Sequence, residues 1–152
     1  SENFAWGYGM PLFEFYAPLP YFLGAIFSLL GTSLVWATKS VFILTSLISA
    51  LGMYFWAREF YEEKIAILSG GLFTLASYRA MDIFARGALS ETMAIAAIPW
   101  IFWGLTRIVK NEKKAVLITV AGFVVLILSH NITTMLVAPS LILYLLVMKK
   151  NI

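Results

Sequence analysis

Residues 115–128 read AVLITVAGFVVLIL, fourteen positions relieved only by Thr119 and Gly122. A helix at a protein–water boundary needs a polar stripe. This segment has none, so its helix faces lipid or protein on every side. The rest of the chain agrees, being 61% hydrophobic and 12% charged with a mean hydropathy of +0.88. Soluble domains are about half apolar and a quarter charged. The sequence therefore predicts an all-α, polytopic integral membrane helix bundle.

Outward from that segment, apolar runs and charged turns alternate. Residues 132–148 form a second arm, separated from the first by Ser129-His130-Asn131. Upstream lie a basic turn at 107–114, a span at 91–106 containing Pro99, and a helix at 65–78 with Gly70-Gly71 at its middle. A turn at 58–64 and a span at about 35–57 precede these. Small residues, among them Ser46, Ser49, Ala50 and Gly52, favour close helix approach in lipid. Residues 1–31 are aromatic and proline-rich, and Pro11, Pro18 and Pro20 forbid one continuous helix there. The apolar run at 21–30 falls short of the roughly 20 residues a crossing requires. It is expected to be interfacial or re-entrant, with Trp6, Tyr8, Tyr16 and Tyr21 at headgroup level. The expectation is about five spans within 35–148 plus an outer juxtamembrane helix, in one transmembrane domain over 1–152. The first residue is Ser1 and Lys149-Lys150 directly follow a span, as in a segment of a longer protein.

Of the eleven Lys and Arg residues, Arg58, Lys64, Arg107, Lys110, Lys113, Lys114, Lys149 and Lys150 fall on one side of this topology. Lys39, Arg79 and Arg86 fall on the other. The positive-inside rule makes 58–64 and 107–114 cytoplasmic, and 78–91 and 129–132 extracytoplasmic. The net charge of +3 sits at helix ends and does not indicate nucleic acid. The bilayer is the expected partner. With no cysteine, thiolate sites and disulfides are excluded, and no metal site or cofactor is indicated.

The stretch 78–91, YRAMDIFARGALSE, concentrates Arg79, Asp82, Arg86 and Glu91 between two apolar segments. Ionisable groups facing a membrane cavity are functional candidates by default. Lys39, His130 and Asn131 join them on the same side. Each also has a purely structural reading. Asp82 and Arg86, four apart, can pair on a helix surface, and Ser90 and Glu91 suit a helix N-terminus. Lys39 can snorkel to the headgroups. His130 can be a satisfied helix-end residue and Asn131 a cap for the last helix. Asn131-Ile132-Thr133 is also a glycosylation sequon, too near the bilayer to be a good acceptor.

Three motifs, Gly7-Tyr8-Gly9-x-Pro11-Leu12-Phe13-x-Phe15-Tyr16-x-Pro18-Leu19-Pro20-Tyr21, Arg86-Gly87-Ala88-Leu89-x-Glu91 and Ser129-His130-Asn131, occur in order along nearly the whole chain. In these it resembles the 6-pyruvoyl-tetrahydropterin synthase-related membrane proteins, polytopic prokaryotic proteins of largely unassigned activity. The soluble synthase holds zinc through three histidines, and this chain has one. The layout is more distantly similar to the GT-C glycosyltransferases, which use polyprenyl-phosphate sugars on the outer face. That likeness implies a GT-C-like fragment in which Lys39 and Arg86 meet donor phosphate and Glu91 takes the place of the second catalytic acid. Arg79, Asp82, His130 and Asn131 would then line the substrate. The main acid of such enzymes lies upstream of anything present here, with Glu14 as an outside candidate. Ala17 stands where the aminoarabinose branch has a basic residue. Two functions follow: a transferase acting on a polyprenyl-phosphate-linked sugar, or a non-catalytic module that binds or moves a lipid-linked glycan.

Overall fold

The computed structural model describes residues 17–150, with side chains to Met148. The N-terminal motif before Ala17, with Glu14, Trp6, Tyr8 and Tyr16, lies outside the described residues. The described chain is helical without a strand: α1 (Leu19–Leu29), α2 (Leu34–Arg58), α3 (Glu63–Thr74), α4 (Ser77–Ala80), a π-helical turn (Met81–Arg86), α5 (Leu89–Val109), α6 (Ala115–Ser129) and α7 (Asn131–Lys150). Pro20 falls in the first turn of α1, where its missing N–H costs nothing. Ser33 caps α2 by accepting the Trp36 N–H at 3.4 Å. Gly31 (φ 91°) and Gly87 (φ 61°) provide the left-handed turns after α1 and the π-helical turn. The helix expected at 65–78 stops at Thr74, and the charged stretch expected as a loop is mostly helical. Both α5 and α7 continue through their prolines, Pro99 and Pro139.

In order, α2 and α3 form a hairpin, α5 packs on α2, and α6 and α7 pack on α5. The α5 span window is 61% buried, against 22% for α2 and 11% for α7, which makes α5 the centre of the bundle. Contact is close because small residues are placed at the crossings. Gly104 meets Thr119 across α5 and α6, Gly122 meets Ile101 across the same pair, and Gly70 meets the Ala50 carbonyl across α2 and α3. These two α5–α6 crossings make the helices antiparallel. Gly70-Gly71 reads from the sequence as another close-contact point, but Gly71 is not one, because a Cβ there would meet nothing within 4 Å. It faces a groove instead of a neighbouring helix.

The two ends of the bundle are distinct. At one, Glu59 accepts hydrogen bonds from Lys110 Nζ (2.7 Å) and Trp103 Nε1 (2.9 Å), tying the α2–α3 turn to the α5–α6 turn. Burial pushes the Glu59 carboxyl up, but those bonds and the charges of Lys110 and Arg107 outweigh it and hold it below its ordinary value. At the other end, residues 86–91 and 129–132 line one cavity.

Among the described residues, three helices are long and apolar enough to cross a membrane: Leu34–Arg58, Leu89–Val109 and Asn131–Met148. Helices α1 and α6 are apolar but shorter, with 11 and 15 residues. At 1.5 Å per residue, α6 is only about 22 Å long against a hydrocarbon core of about 30 Å. The chain is a multi-pass membrane protein. Helix α1 lies between two cavities, with Pro20, Tyr21 and Gly24 on the polar one and Leu19 and Leu23 on an apolar one.

Candidate functional site

The site begins with the π-helical turn. Its wider ring lets the Ala88 N–H reach back to the Asp82 carbonyl at 2.8 Å, and Gly87 closes the turn. Turns of this kind are rare and gather at functional sites. Here the turn places Arg86 between two carboxylates. Its Nη1 lies 2.7 Å from Asp82 Oδ1 and 2.9 Å from Glu91 Oε2. The Tyr78 hydroxyl donates to the other Glu91 oxygen, and this bond raises the Tyr78 pKa. Glu91 stands in the first turn of α5, where the helix dipole also favours a carboxylate.

Beneath this exposed layer lies a buried one. Asp82 is 0% exposed and Arg79 2%. Arg79 donates to the Thr92 carbonyl at 3.4 Å and sits 5.8 Å from the centre of the Phe73 ring. Its Nε and Nη2, and Asp82 Oδ2, have no hydrogen-bond partner among the described residues. Burial pushes the Asp82 carboxyl above the usual carboxylate range, and the Glu91 charge adds to this against the opposing pull of Arg86 and Arg79. Burial likewise lowers Arg79, which Asp82 only partly restores.

The cavity at this end has a volume of about 980 Å³. Arg86, Ser90 and Glu91 line it from one side, Ser129, His130 and Asn131 from another, and Tyr21, Ala37 and Thr38 from α1 and α2. His130, not Asn131, occupies the cap position of α7. Its Nδ1 accepts the Thr133 N–H at 3.3 Å and lies 2.8 Å from Thr133 Oγ1. An N–H donor fixes Nδ1 as the acceptor, which leaves the proton of a neutral ring on Nε2. Ser129 is fully buried, and its hydroxyl has no partner among the described residues.

The structure thus brings Arg86, Glu91, His130 and Asn131 to one cavity and stacks Asp82 and Arg79 behind Arg86. Lys39 is not with them. It opens onto a separate groove between α2 and α3, with Nζ 4.9 Å from the centre of the Trp36 ring. Tyr78, Thr38, Ser90 and Ser129 are polar groups at the site that sequence reasoning did not single out as ligand-facing. Tyr78 reaches Glu91 across thirteen residues, a distance no helical spacing signals. Among the described residues, no three His, Asp or Glu side chains gather as a metal site.

The family model of the 6-pyruvoyl-tetrahydropterin synthase related domain, described as a membrane protein, matches residues 13–152. An uncharacterized protein of Lactococcus lactis subsp. cremoris is 26% identical over 146 residues, covering 92% of this chain and 24% of the relative. The chain spans about a quarter of the length of the curated relative it matches. No solved structure matches.

Proposed function

The chain belongs to the 6-pyruvoyl-tetrahydropterin synthase related family of membrane proteins, and we propose that its polar cavity takes the phosphate-linked headgroup of a polyprenyl-phosphate sugar. One observation carries this reading: a single cavity of about 980 Å³ gathers the half-exposed Arg86, Glu91 and the buried Ser129 hydroxyl, which has no partner among the described residues. Arg86 supplies the positive charge and planar donors that suit a phosphate. The charge distribution of the turns favours an extracytoplasmic cavity, with 58–64 and 107–114 cytoplasmic. On that topology the chain makes about five crossings, the shorter α3 and α6 included.

In the catalytic form of the proposal the layout is GT-C-like. An incoming phosphate draws Arg86 away from Glu91 and leaves that carboxylate to accept the acceptor hydroxyl's proton. The acceptor oxygen bonds to the sugar's anomeric carbon as the bond from that carbon to the phosphate oxygen breaks. Polyprenyl phosphate then leaves with its charge held by Arg86. A second reading rests on the same contacts. Both Glu91 oxygens are already engaged, one by Arg86 and one by the Tyr78 hydroxyl, which suits a module that binds or moves a lipid-linked glycan without turnover.

Substitutions in the full-length protein separate these readings. Arg86→Gln is expected to weaken polyprenyl-phosphate binding several-fold, and Glu91→Gln to leave it intact or slightly tighter. Loss of sugar transfer in Glu91→Gln supports the transferase, and binding without transfer in wild type supports the module. If neither substitution changes affinity while both lower the melting temperature, the cluster is structural and the proposal fails.

Sidedness has its own test, helped by the absence of cysteine from this chain. In a full-length protein whose other cysteines are replaced, a membrane-impermeant thiol reagent applied to intact cells is expected to label Ala85→Cys and not Lys113→Cys. The opposite pattern would place the cavity in the cytoplasm.

A further inference from the structure

Between α2 and α3 runs a groove of about 890 Å³, which adjoins the polar cavity at Thr38 but opens onto a different face of α2. Its α2 wall extends from Val35 to Ala50, roughly 22 Å at 1.5 Å per residue. Gly71, Thr74 and Leu75 form the α3 wall, and Ile83 and Phe84 of the π-helical turn overhang one end. The groove contains hydroxyls, yet each is satisfied within its own helix. Thr38 donates to the Leu34 carbonyl (3.0 Å), Ser46 to Phe42 (2.8 Å) and Thr74 to Gly70 (2.9 Å). What remains is a hydrocarbon-lined trough with one charge.

That charge is Lys39, exposed near the start of α2 and poised over Trp36. No carboxylate among the described residues lies within ion-pair distance of it; the salt bridges there all involve Arg86, Arg107 or Lys110. A lysine beside a tryptophan at a helix start is placed at headgroup level. The trough below it offers dispersion contacts to a chain but no hydrogen bonds. Phosphate at the lysine and an alkyl chain in the trough satisfy both parts at once.

We propose that the α2–α3 groove is a binding site for an anionic phospholipid, with one acyl chain lying between Phe42 and Ala50 and the phosphate against Lys39. The site is independent of the ligand in the polar cavity. It explains why Lys39 stands apart from Arg86 and Glu91, and why Gly71 faces open space beside the close-packed Gly70.

The test uses full-length protein in mild detergent, offered phosphatidylglycerol or phosphatidylcholine with identical chains, and counts retained lipid by native mass spectrometry. Wild type is expected to retain phosphatidylglycerol several-fold better. Lys39→Gln should hold the two lipids equally, because the cation that favours the net-negative headgroup over the zwitterionic one is lost. Gly71→Phe fills the trough from a position with no protein neighbour and should lose the retained lipid of either kind. Leu47→Trp, at an exposed position on the opposite wall, is the second filling variant should Gly71→Phe fail to fold. Equal retention of both lipids by wild type overturns the proposal, as does unchanged retention in a folded groove-filled variant, since either identifies the bound molecules as bulk annular lipid.

Discussion

Gly104→Leu is expected to force α5 and α6 apart and lower unfolding stability in detergent by roughly 3 kcal/mol or more, at the upper end of overpacking costs. Even one added carbon collides with the Thr119 hydroxyl and stands 3.1 Å from that residue's nitrogen and 3.2 Å from its Cα. A rotamer change cannot relieve contact with backbone. Thr119→Ala therefore recovers only part of the loss from Gly104→Ala, and nothing from Gly104→Leu. The control is Gly71→Ala, which enters open space, gains helix propensity and should be neutral or slightly stabilising. Equal stability of Gly104→Leu and wild type in an unfolding titration would mean that α5 and α6 are not in this register.

The two buried charges Arg79 and Asp82, which do not bridge each other, are expected to behave in the opposite sense. Replacing both, as Arg79→Met with Asp82→Leu, should leave stability unchanged or raise it by about 1–4 kcal/mol, as when buried charge clusters are exchanged for apolar residues; Arg86 keeps its bridge to Glu91. The reason lies in each group. Each charge is desolvated, and three of their polar atoms have no partner among the described residues. The pH dependence follows from the raised pKa of Asp82. A folded pKa above the unfolded one means that its contribution to stability is full below the unfolded value. That contribution is lost as pH rises through the folded value. Wild type should therefore gain stability relative to Asp82→Asn on acidification from neutral pH, and the difference should level off below the ordinary carboxylate range. Ligand affinity should move the other way, since Asp82 helps to hold Arg86 in place. A double variant several kcal/mol less stable than wild type would show that these two buried charges hold the fold together.

The polar network also shows what spacing along a sequence conveys. Asp82 and Arg86, four apart, form the pair their spacing suggests, at 2.7 Å. Glu91 joins that pair because the π-helical turn and the tight turn at Gly87 fold the start of α5 back beside it. No periodicity in residues 78–91 announces a π-helical turn, since the same residues fit a regular helix or a loop. Asn131 reads from the sequence as the cap of the last helix, but His130 takes that position. The difference is one residue, set by where α6 stops, and helix-end signals do not fix it.

The sequence by itself determined that this is an all-helical membrane protein, because composition and unbroken apolar runs such as 115–128 report directly on the solvent a chain requires. It also placed the charged turns, since charge cannot be left in hydrocarbon without a partner. Tertiary structure decided which of those charges meet. Lys39 and Arg86 share a side in the topology the charges predict, yet they open onto different cavities, because α2 packs against α3 on one face and α5 on another. Likewise Gly70 and Gly71 are equivalent in sequence, but a helix turns by about 100° per residue. One therefore lies against Ala50 and the other against empty space, and only the packing of α3 on α2 determines which.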